Sequence, residues 1–102
     1  MHFLVLAWDF PTADGVARRD AARPAHATSI RELWEEGRVV LGAGLLDDDG
    51  VVRGSIVVVD YPTREGVDEY LASEPFAIDA VWDRVDVHPL RLPDFYFQGR
   101  PG

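Results

Sequence analysis

The sequence predicts an α+β domain of the ferredoxin-like class, with the order β-α-β-β-α-β and two helices on one face of a four-stranded antiparallel sheet. Three observations support this. The chain has 102 residues, enough for one domain. Its composition, 47% hydrophobic and 11% aromatic, is typical of a folded protein. Short apolar runs bounded by turn residues alternate with two segments of helical periodicity.

The first half of the chain is predicted to hold one strand and one main helix. Residues 2–8 form the strand, and the turn residues of 10–15 form a loop. Proline disfavours α geometry in the residue before it, so the helical pattern that follows is expected to break at Arg23-Pro24. This leaves a short turn over 16–22 and a main helix over 24–36. The buried face of the main helix is expected to consist of Ala27, Ile30, Leu33 and Trp34.

The two middle strands are predicted over 38–46 and 52–61. The sequence Asp47-Asp48-Asp49-Gly50 between them forms a turn and lacks the alternating spacing of a calcium loop. The second helix follows over 64–73, with Thr63 as its N-cap. Its inward-facing residues are Val67, Tyr70 and Leu71.

The last part of the chain is predicted to contribute one strand and a tail. Glu74-Pro75-Phe76 ends the second helix, and the last strand covers 82–92. The folded domain therefore spans 1–92. Residues 93–102 form a C-terminal tail that we expect to be irregular.

The apolar pattern of the strands predicts a homodimer. An antiparallel sheet with one face in water alternates apolar and polar residues. The runs over 3–8, 39–41 and 56–59 are apolar on both faces. Because two helices cover only one face, we expect a second copy to pack against the other, sheet to sheet.

Charge and cysteine content exclude several kinds of site and partner. The net charge is −8, and an acidic domain is repelled by nucleic acid and by anionic membranes. The chain has no cysteine, so thiolate metal ligands and thiol nucleophiles are absent. His2, His26 and His88 match no metal-ligand spacing, and we expect neither a metal nor another cofactor. No apolar stretch reaches the roughly 20 residues of a membrane span, so the expected location is the cytoplasm.

A cluster of charged residues around His26 is the main candidate for chemistry. Arg23 and His26 are three residues apart and share a face at the predicted start of the main helix. The helix dipole disfavours an imidazolium at that end, which keeps the ring neutral as a base. The guanidiniums of Arg19 and Arg23 act in the same sense and can bind a substrate carboxylate or phenolate. The alternative is an amphipathic helix with solvated arginines and an ordinary histidine.

Two carboxylates are candidates to orient the imidazole, because a catalytic base needs an orienting partner. Asp9 lies just past the first strand, where the chain leaves the sheet, and its alternative role is that of a turn former or cap. Glu74 precedes a proline at the end of the second helix, and its alternative role is a solvent-facing helix end. We predict Asp9, His26 and Glu74 as catalytic residues, and Arg19 and Arg23 as substrate-binding residues.

In several of these residues the chain resembles the YciI-like (YCII-related) family of the dimeric α-β barrel superfamily. The match spans about residues 1–92, and its most specific part is the Arg-Pro-x-His element. The matching features are Asp9, Arg19-x-x-x-Arg23-Pro24-Ala25-His26, Gly42-Ala43-Gly44-Leu45-Leu46, Gly54-Ser55, Glu74-Pro75-Phe76 and Val85-x-Val87-x-Pro89.

The resemblance implies a ferredoxin-like protomer, a dimer, and a cleft that holds the histidine with an acidic partner. Relatives are linked to dehydrochlorination of hydroxylated aromatic compounds, and the superfamily includes lactone isomerases and cofactor-free monooxygenases. This chain departs from the family pattern at two places. It has Glu74 where the family usually has Asp before Pro, and Gly44-Leu45 where the family usually has Gly-Pro. The longer carboxylate shifts the geometry around His26, so Asp9 and His26 carry over from the family more safely than Glu74.

Two functional hypotheses follow. The first is a cofactor-independent acid/base enzyme that carries out elimination, isomerisation or dehydrochlorination on a small anionic or phenolic compound. In that enzyme His26 is the base or acid, Asp9 or Glu74 orients it, and Arg19 and Arg23 bind the anion. The second is a non-catalytic dimer that uses the same cleft to bind a small ligand. Ligand-dependent stabilisation without turnover would distinguish the second from the first.

Overall fold

The structure, a computed structural model, describes residues 1–99. The four strands are β1 (His2–Asp9), β2 (Val39–Leu46), β3 (Val52–Asp60) and β4 (Trp82–Leu90). The helices are α1 (Ala13–Glu35), α2 (Arg64–Ser73) and the four-residue α3 (Pro75–Ile78), and a 3-10 turn spans Asp94–Phe97. Within residues 1–99, no helix is both long enough and apolar enough to cross a membrane.

The strands form one antiparallel sheet in the order β2-β3-β1-β4. The two strands that follow one another in the chain, β2 and β3, are joined by the turn at Asp47–Gly50, where Gly50 has a positive φ of 80°. β1 lies in the interior of the sheet, between β3 and β4. This order, with α1 and α2 as the two main helices, confirms the predicted ferredoxin-like class.

One face of the sheet and the helices that cover it form the core. Alternate residues of β1 are buried on this face, namely Phe3, Val5 and Ala7. They pair across the sheet with residues of β3 on the same side, including Val57 and Val59. The helices contribute fully buried side chains such as Val67 and Phe76 to the same cluster. Burial in β1 therefore has a period of two, as expected for a strand with one face on the core.

The predicted break at Arg23-Pro24 is wrong, because α1 runs without interruption from Ala13 to Glu35. It also starts within the predicted loop, where the Thr12 side chain accepts a hydrogen bond from Gly15 N–H at 3.0 Å and caps the helix. A proline inside a helix removes one backbone hydrogen bond and costs about 3 kcal/mol or more. Pro24 is exposed, whereas Ala22 before it and Leu33 after it pack on the core. Burial on both sides of the proline keeps the two halves in one helix.

The buried face of α1 is narrower than predicted. Ile30 and Leu33 pack against the core as expected. Ala27 is exposed, and Trp34 is 59% exposed, so both were wrongly placed in the core. At about 100° per residue, Ala27 and Trp34 lie about 120–140° around the helix from the buried Ala22, whereas Leu33 lies about 20° from it. Ala27 instead faces a cleft beside the sheet.

The second helical region was predicted nearly in full. Val67 and Tyr70 are buried in α2, and Leu71 packs against the core. Thr63 holds the N-cap position, but its side chain makes no capping hydrogen bond. Glu74 ends α2 and at the same time caps α3, a short helix that the sequence analysis did not predict.

The other face of the sheet carries apolar side chains that none of the helices within residues 1–99 covers. Leu4 pairs with Val58 and Leu6 with Ile56, which places these four side chains on that face. Further along it, Leu41 is 48% exposed. The tail covers one end of this face, since Phe97 stacks on His2 with ring centroids 5.2 Å apart.

The described part of the tail is partly ordered. Asp94–Phe97 form a single 3-10 turn, where we had expected irregular chain. The turn presents three exposed aromatic rings, Phe95, Tyr96 and Phe97. The rest of the predicted tail, residues 100–102, lies outside the described residues.

Candidate functional site

A cleft of about 590 Å³ lies between α1 and the β2–β3 half of the sheet. Polar side chains from three elements line it. They are Asp9 of β1, Arg19, Asp20, Arg23 and His26 of α1, and Ser55 of β3, and the ring of Phe76 from α3 lies beside them. The cleft therefore brings four of the five predicted site residues to one place. The fifth, Glu74, lies directly behind it.

His26 is paired with Glu74. The imidazole Nδ1 lies 2.5 Å from Glu74 Oε1, and the carboxylate is fully buried while the imidazole is 18% exposed. An Nδ1–H that donates to the carboxylate leaves Nε2 without a proton in the neutral ring. No hydrogen-bond partner of Nε2 occurs among residues 1–99. In the neutral ring, Nε2 of His26 is thus unpaired at the cleft within the described residues, and a buried carboxylate holds the imidazole in orientation.

Glu74 is itself fixed by two further donors. The Phe76 backbone N–H donates to Oε1 at 3.2 Å, and the Tyr70 hydroxyl donates to Oε2 at 2.6 Å. Burial, and then the neighbouring Glu74 carboxylate, raise the pKa of Tyr70 well above its usual value of 10.0. The phenol therefore stays protonated and remains a donor. Both carboxylate oxygens are satisfied, which a buried carboxylate requires.

The aromatic ring of Phe76 contacts both His26 and Arg19. Its ring stacks on His26 with centroids 3.8 Å apart and an interplanar angle of 11°. The guanidinium carbon of Arg19 lies 4.6 Å from the centroid of the same ring. A stacked ring restricts rotation of the imidazole, and the cation–π contact holds the guanidinium in place. One aromatic side chain thus sets the positions of both.

Arg19 binds Asp9 rather than leaving its charge open to a ligand. Its Nη1 donates to both oxygens of Asp9, at 2.9 and 2.7 Å, and its Nη2 donates to Ser55 Oγ at 3.1 Å. Both partners of the ion pair are largely buried. Asp9 is therefore not the residue that orients His26. Of the two carboxylates predicted to orient the imidazole, Glu74 contacts His26 and Asp9 forms an ion pair with Arg19.

Arg23 is the arginine whose charge is available in the cleft. It lines the cleft one turn before His26 and is exposed. Within residues 1–99 it makes no salt bridge and donates no side-chain hydrogen bond. A guanidinium presents donors in a fixed fork that suits a carboxylate or phenolate. Arg19 and Arg23, predicted as a pair with one role, thus have different surroundings.

The predicted reason for a neutral His26 does not hold. His26 lies in the middle of α1, not at its N-terminus, because the helix begins at Ala13. The influence of the helix dipole is confined to the first and last turns. The contact between Nδ1 and Glu74, rather than the helix dipole, favours one tautomer of the His26 ring.

Three residues of the site were missed as functional residues. Tyr70 was predicted only as a core residue, although it lies four residues before Glu74, a spacing visible in the sequence that brings two side chains together along a helix. Phe76 was noted only as part of the motif that ends a helix. Ser55 lies 36 residues from Arg19, and no local pattern indicates that contact.

Comparisons with known proteins agree with the fold and confirm the family resemblance seen in the sequence. A model of the YCII-related domain matches residues 1–91. The protein YciI of Escherichia coli is 29% identical over 98 residues, which cover 89% of this chain and 97% of that protein, and YciI of Shigella flexneri matches equally.

A solved structure shares the fold at low identity. It is the 5-chloro-2-hydroxyhydroquinone dehydrochlorinase TftG of Burkholderia phenoliruptrix, in complex with 2,5-dihydroxybenzoquinone. Its TM-score is 0.77 at 20% identity, over 93% of this chain and 98% of that one. At this identity the likeness shows the common fold.

Proposed function

Because the chain belongs to the YCII-related family, we propose that it is a cofactor-independent acid/base enzyme acting on a small phenolic or anionic ring compound. The observation that carries the proposal is the buried pair of Glu74 and His26, which leaves Nε2 free at the cleft. A histidine held by a carboxylate is the arrangement of a general base. The cleft, at about 590 Å³, has the size of a small-molecule site.

In the proposed reaction, His26 Nε2 accepts a proton from a hydroxyl group of the ring. Glu74 stabilises the imidazolium that forms, because its carboxylate faces Nδ1 at 2.5 Å. In a dehydrochlorination, the carbon that bears chlorine takes up a proton as this hydroxyl becomes a carbonyl. A second ring hydroxyl then loses its proton, and chloride departs from the same carbon with the electrons of the carbon–chlorine bond. The net loss is one proton and one chloride, so no oxidant or reductant is needed.

Arg23 is the proposed anion-binding residue. It faces the cleft on the same side of α1 as His26, and it is the cleft arginine whose charge is not paired with Asp9. A phenolate or carboxylate bound by Arg23 lies within one helical turn of the base. The apolar wall formed by Ile30 and Val57 suits the body of a ring.

The dehydrochlorinase TftG supports the choice of reaction, since it shares the fold and binds a hydroxylated quinone. The direct test is to incubate the purified protein with 5-chloro-2-hydroxyhydroquinone and to measure released chloride by ion chromatography. We expect chloride release above the rate in buffer, without added metal or nucleotide. A rise in melting temperature with no chloride release would favour the alternative, a dimer that binds the compound without converting it.

A homodimer is part of the same proposal. The uncovered sheet face exposes apolar side chains, among them Trp8 at 43% and Leu41 at 48%. Exposed apolar patches of this kind mark association surfaces. We expect sedimentation equilibrium to give twice the monomer mass, and Trp8→Glu to shift the protein toward monomer. The matched control is Ile78→Glu on α3, an exposed apolar site, at 61%, away from this face. A native protein that sediments as a monomer would rule out the dimer.

A further inference from the structure

The hydroxyl of Ser55 has a feature that the proposed chemistry does not use. Ser55 lines the cleft from β3 and is only 3% exposed. Its Oγ accepts a hydrogen bond from Arg19 Nη2 at 3.1 Å and another from the Trp82 indole N–H at 3.4 Å. A guanidinium and an indole N–H can only donate. Ser55 is therefore the acceptor in both contacts.

The proton of this hydroxyl is left without an acceptor. A serine oxygen has two lone pairs and carries one proton. Arg19 and Trp82 occupy both lone pairs, and among residues 1–99 the Ser55 hydroxyl donates no hydrogen bond. A buried donor without a partner is costly, so the proton needs an acceptor supplied from the cleft. The positive charge of Arg19 also polarises the hydroxyl and strengthens it as a donor.

We propose that Ser55 is a ligand-binding residue that donates a hydrogen bond to an oxygen atom of the compound in the cleft. The inference rests on the proposed function in taking that compound to be an oxygen-bearing ring. It adds one requirement to the substrate class: the compound must carry an acceptor oxygen, such as a phenolate or ring carbonyl. This oxygen faces Ser55 while the base at His26 takes a proton. It also gives the buried Asp9–Arg19 pair a role. The pair holds the guanidinium on Ser55 and thereby directs the hydroxyl proton into the cleft.

The binding test compares two ligands that differ in one oxygen. 4-Nitrophenolate has the phenolate oxygen that would accept from Ser55. Nitrobenzene lacks this oxygen and shares only the nitro group. We expect Ser55→Ala to weaken binding of 4-nitrophenolate by about 10- to 100-fold, the range for a hydrogen bond to a charged group, and to leave binding of nitrobenzene unchanged. Ser55→Cys, which keeps the size but is a weaker donor, should fall between. The matched control is Ser73→Ala, since Ser73 donates to the Tyr70 carbonyl outside the cleft. Equal losses for both ligands in Ser55→Ala would overturn the proposal.

A second measurement needs no bound ring compound and separates this inference from the proposed function. In a crystal structure of the ligand-free protein, we expect an ordered water about 2.8 Å from Ser55 Oγ on the cleft side, and its loss in Ser55→Ala. A Ser55 hydroxyl that donates to a backbone carbonyl, with no such water, would overturn the inference. If the water is present but the native protein binds no 4-nitrophenolate, the phenolic substrate fails and the donor assignment stands.

Discussion

Replacing His26 with glutamine is expected to lower kcat for chloride release by about 10²- to 10⁴-fold, the usual contribution of a positioned base. The amide of glutamine can still donate to Glu74, so the change removes the basic nitrogen and leaves the buried carboxylate a partner. KM should change little, because Arg23 and the apolar wall remain. The measurement is the initial rate of chloride release at saturating 5-chloro-2-hydroxyhydroquinone.

The matched control for His26 is His88→Gln. His88 is an exposed histidine on β4 and does not line the cleft, so its replacement should leave the rate within twofold. A His26→Gln protein that keeps its native melting temperature and its full rate would show that another group is the base. Circular dichroism of the two variants shows whether a lower rate comes from loss of the base or from loss of folded protein.

Glu74→Ala is expected to lower the free energy of unfolding by about 3–5 kcal/mol, as removal of one member of a buried charged pair does. The change leaves three donors around an empty buried position, those of His26, Tyr70 and Phe76. A loss of this size is a large share of the roughly 5–15 kcal/mol that stabilises a typical domain. Urea denaturation followed by circular dichroism measures it.

Two further substitutions make the Glu74 experiment specific. Glu69→Ala removes an exposed carboxylate from α2, five residues before Glu74, and should change stability by no more than about 0.5 kcal/mol. Glu74→Asp keeps the charge but shortens the side chain, and we expect a loss between those of alanine and the native residue. If Glu74→Ala were as stable as Glu69→Ala, the pairing with His26 would not contribute to the fold.

The fold was predictable because its signals are local. Apolar runs, turn residues and helical periodicity each extend over fewer than twenty residues, and together they define the order of elements. The helix break predicted at Pro24 was wrong because a local backbone preference was outweighed by tertiary packing. The local preference of proline against the helix interior is real, but burial of residues on both sides of it is decided by the sheet, which the sequence does not display.

The sequence predicted which residues would be candidates for the site, but not how they pair. His26, Glu74, Asp9 and the two arginines were identified from residue type and family resemblance. Which carboxylate meets which cation depends on how α1 lies across the sheet. The family resemblance favoured Asp9 over Glu74, because Glu74 departs from the usual aspartate. In the structure, Tyr70 and the Phe76 backbone hold the longer side chain against His26, so the extra methylene is accommodated.

The sequence separations within the site have a consequence for how the protein folds. The contact between His26 and Glu74 spans 48 residues, and that between Arg19 and Ser55 spans 36. Contacts of this kind form late, because the chain loses loop entropy before they become favourable. No fragment or partly folded chain that lacks the docking of α1 on β3 and α3 can hold the imidazole in its oriented form. The free nitrogen in the cleft is thus a property of the completed fold alone, and a nascent or misfolded chain would lack the oriented base.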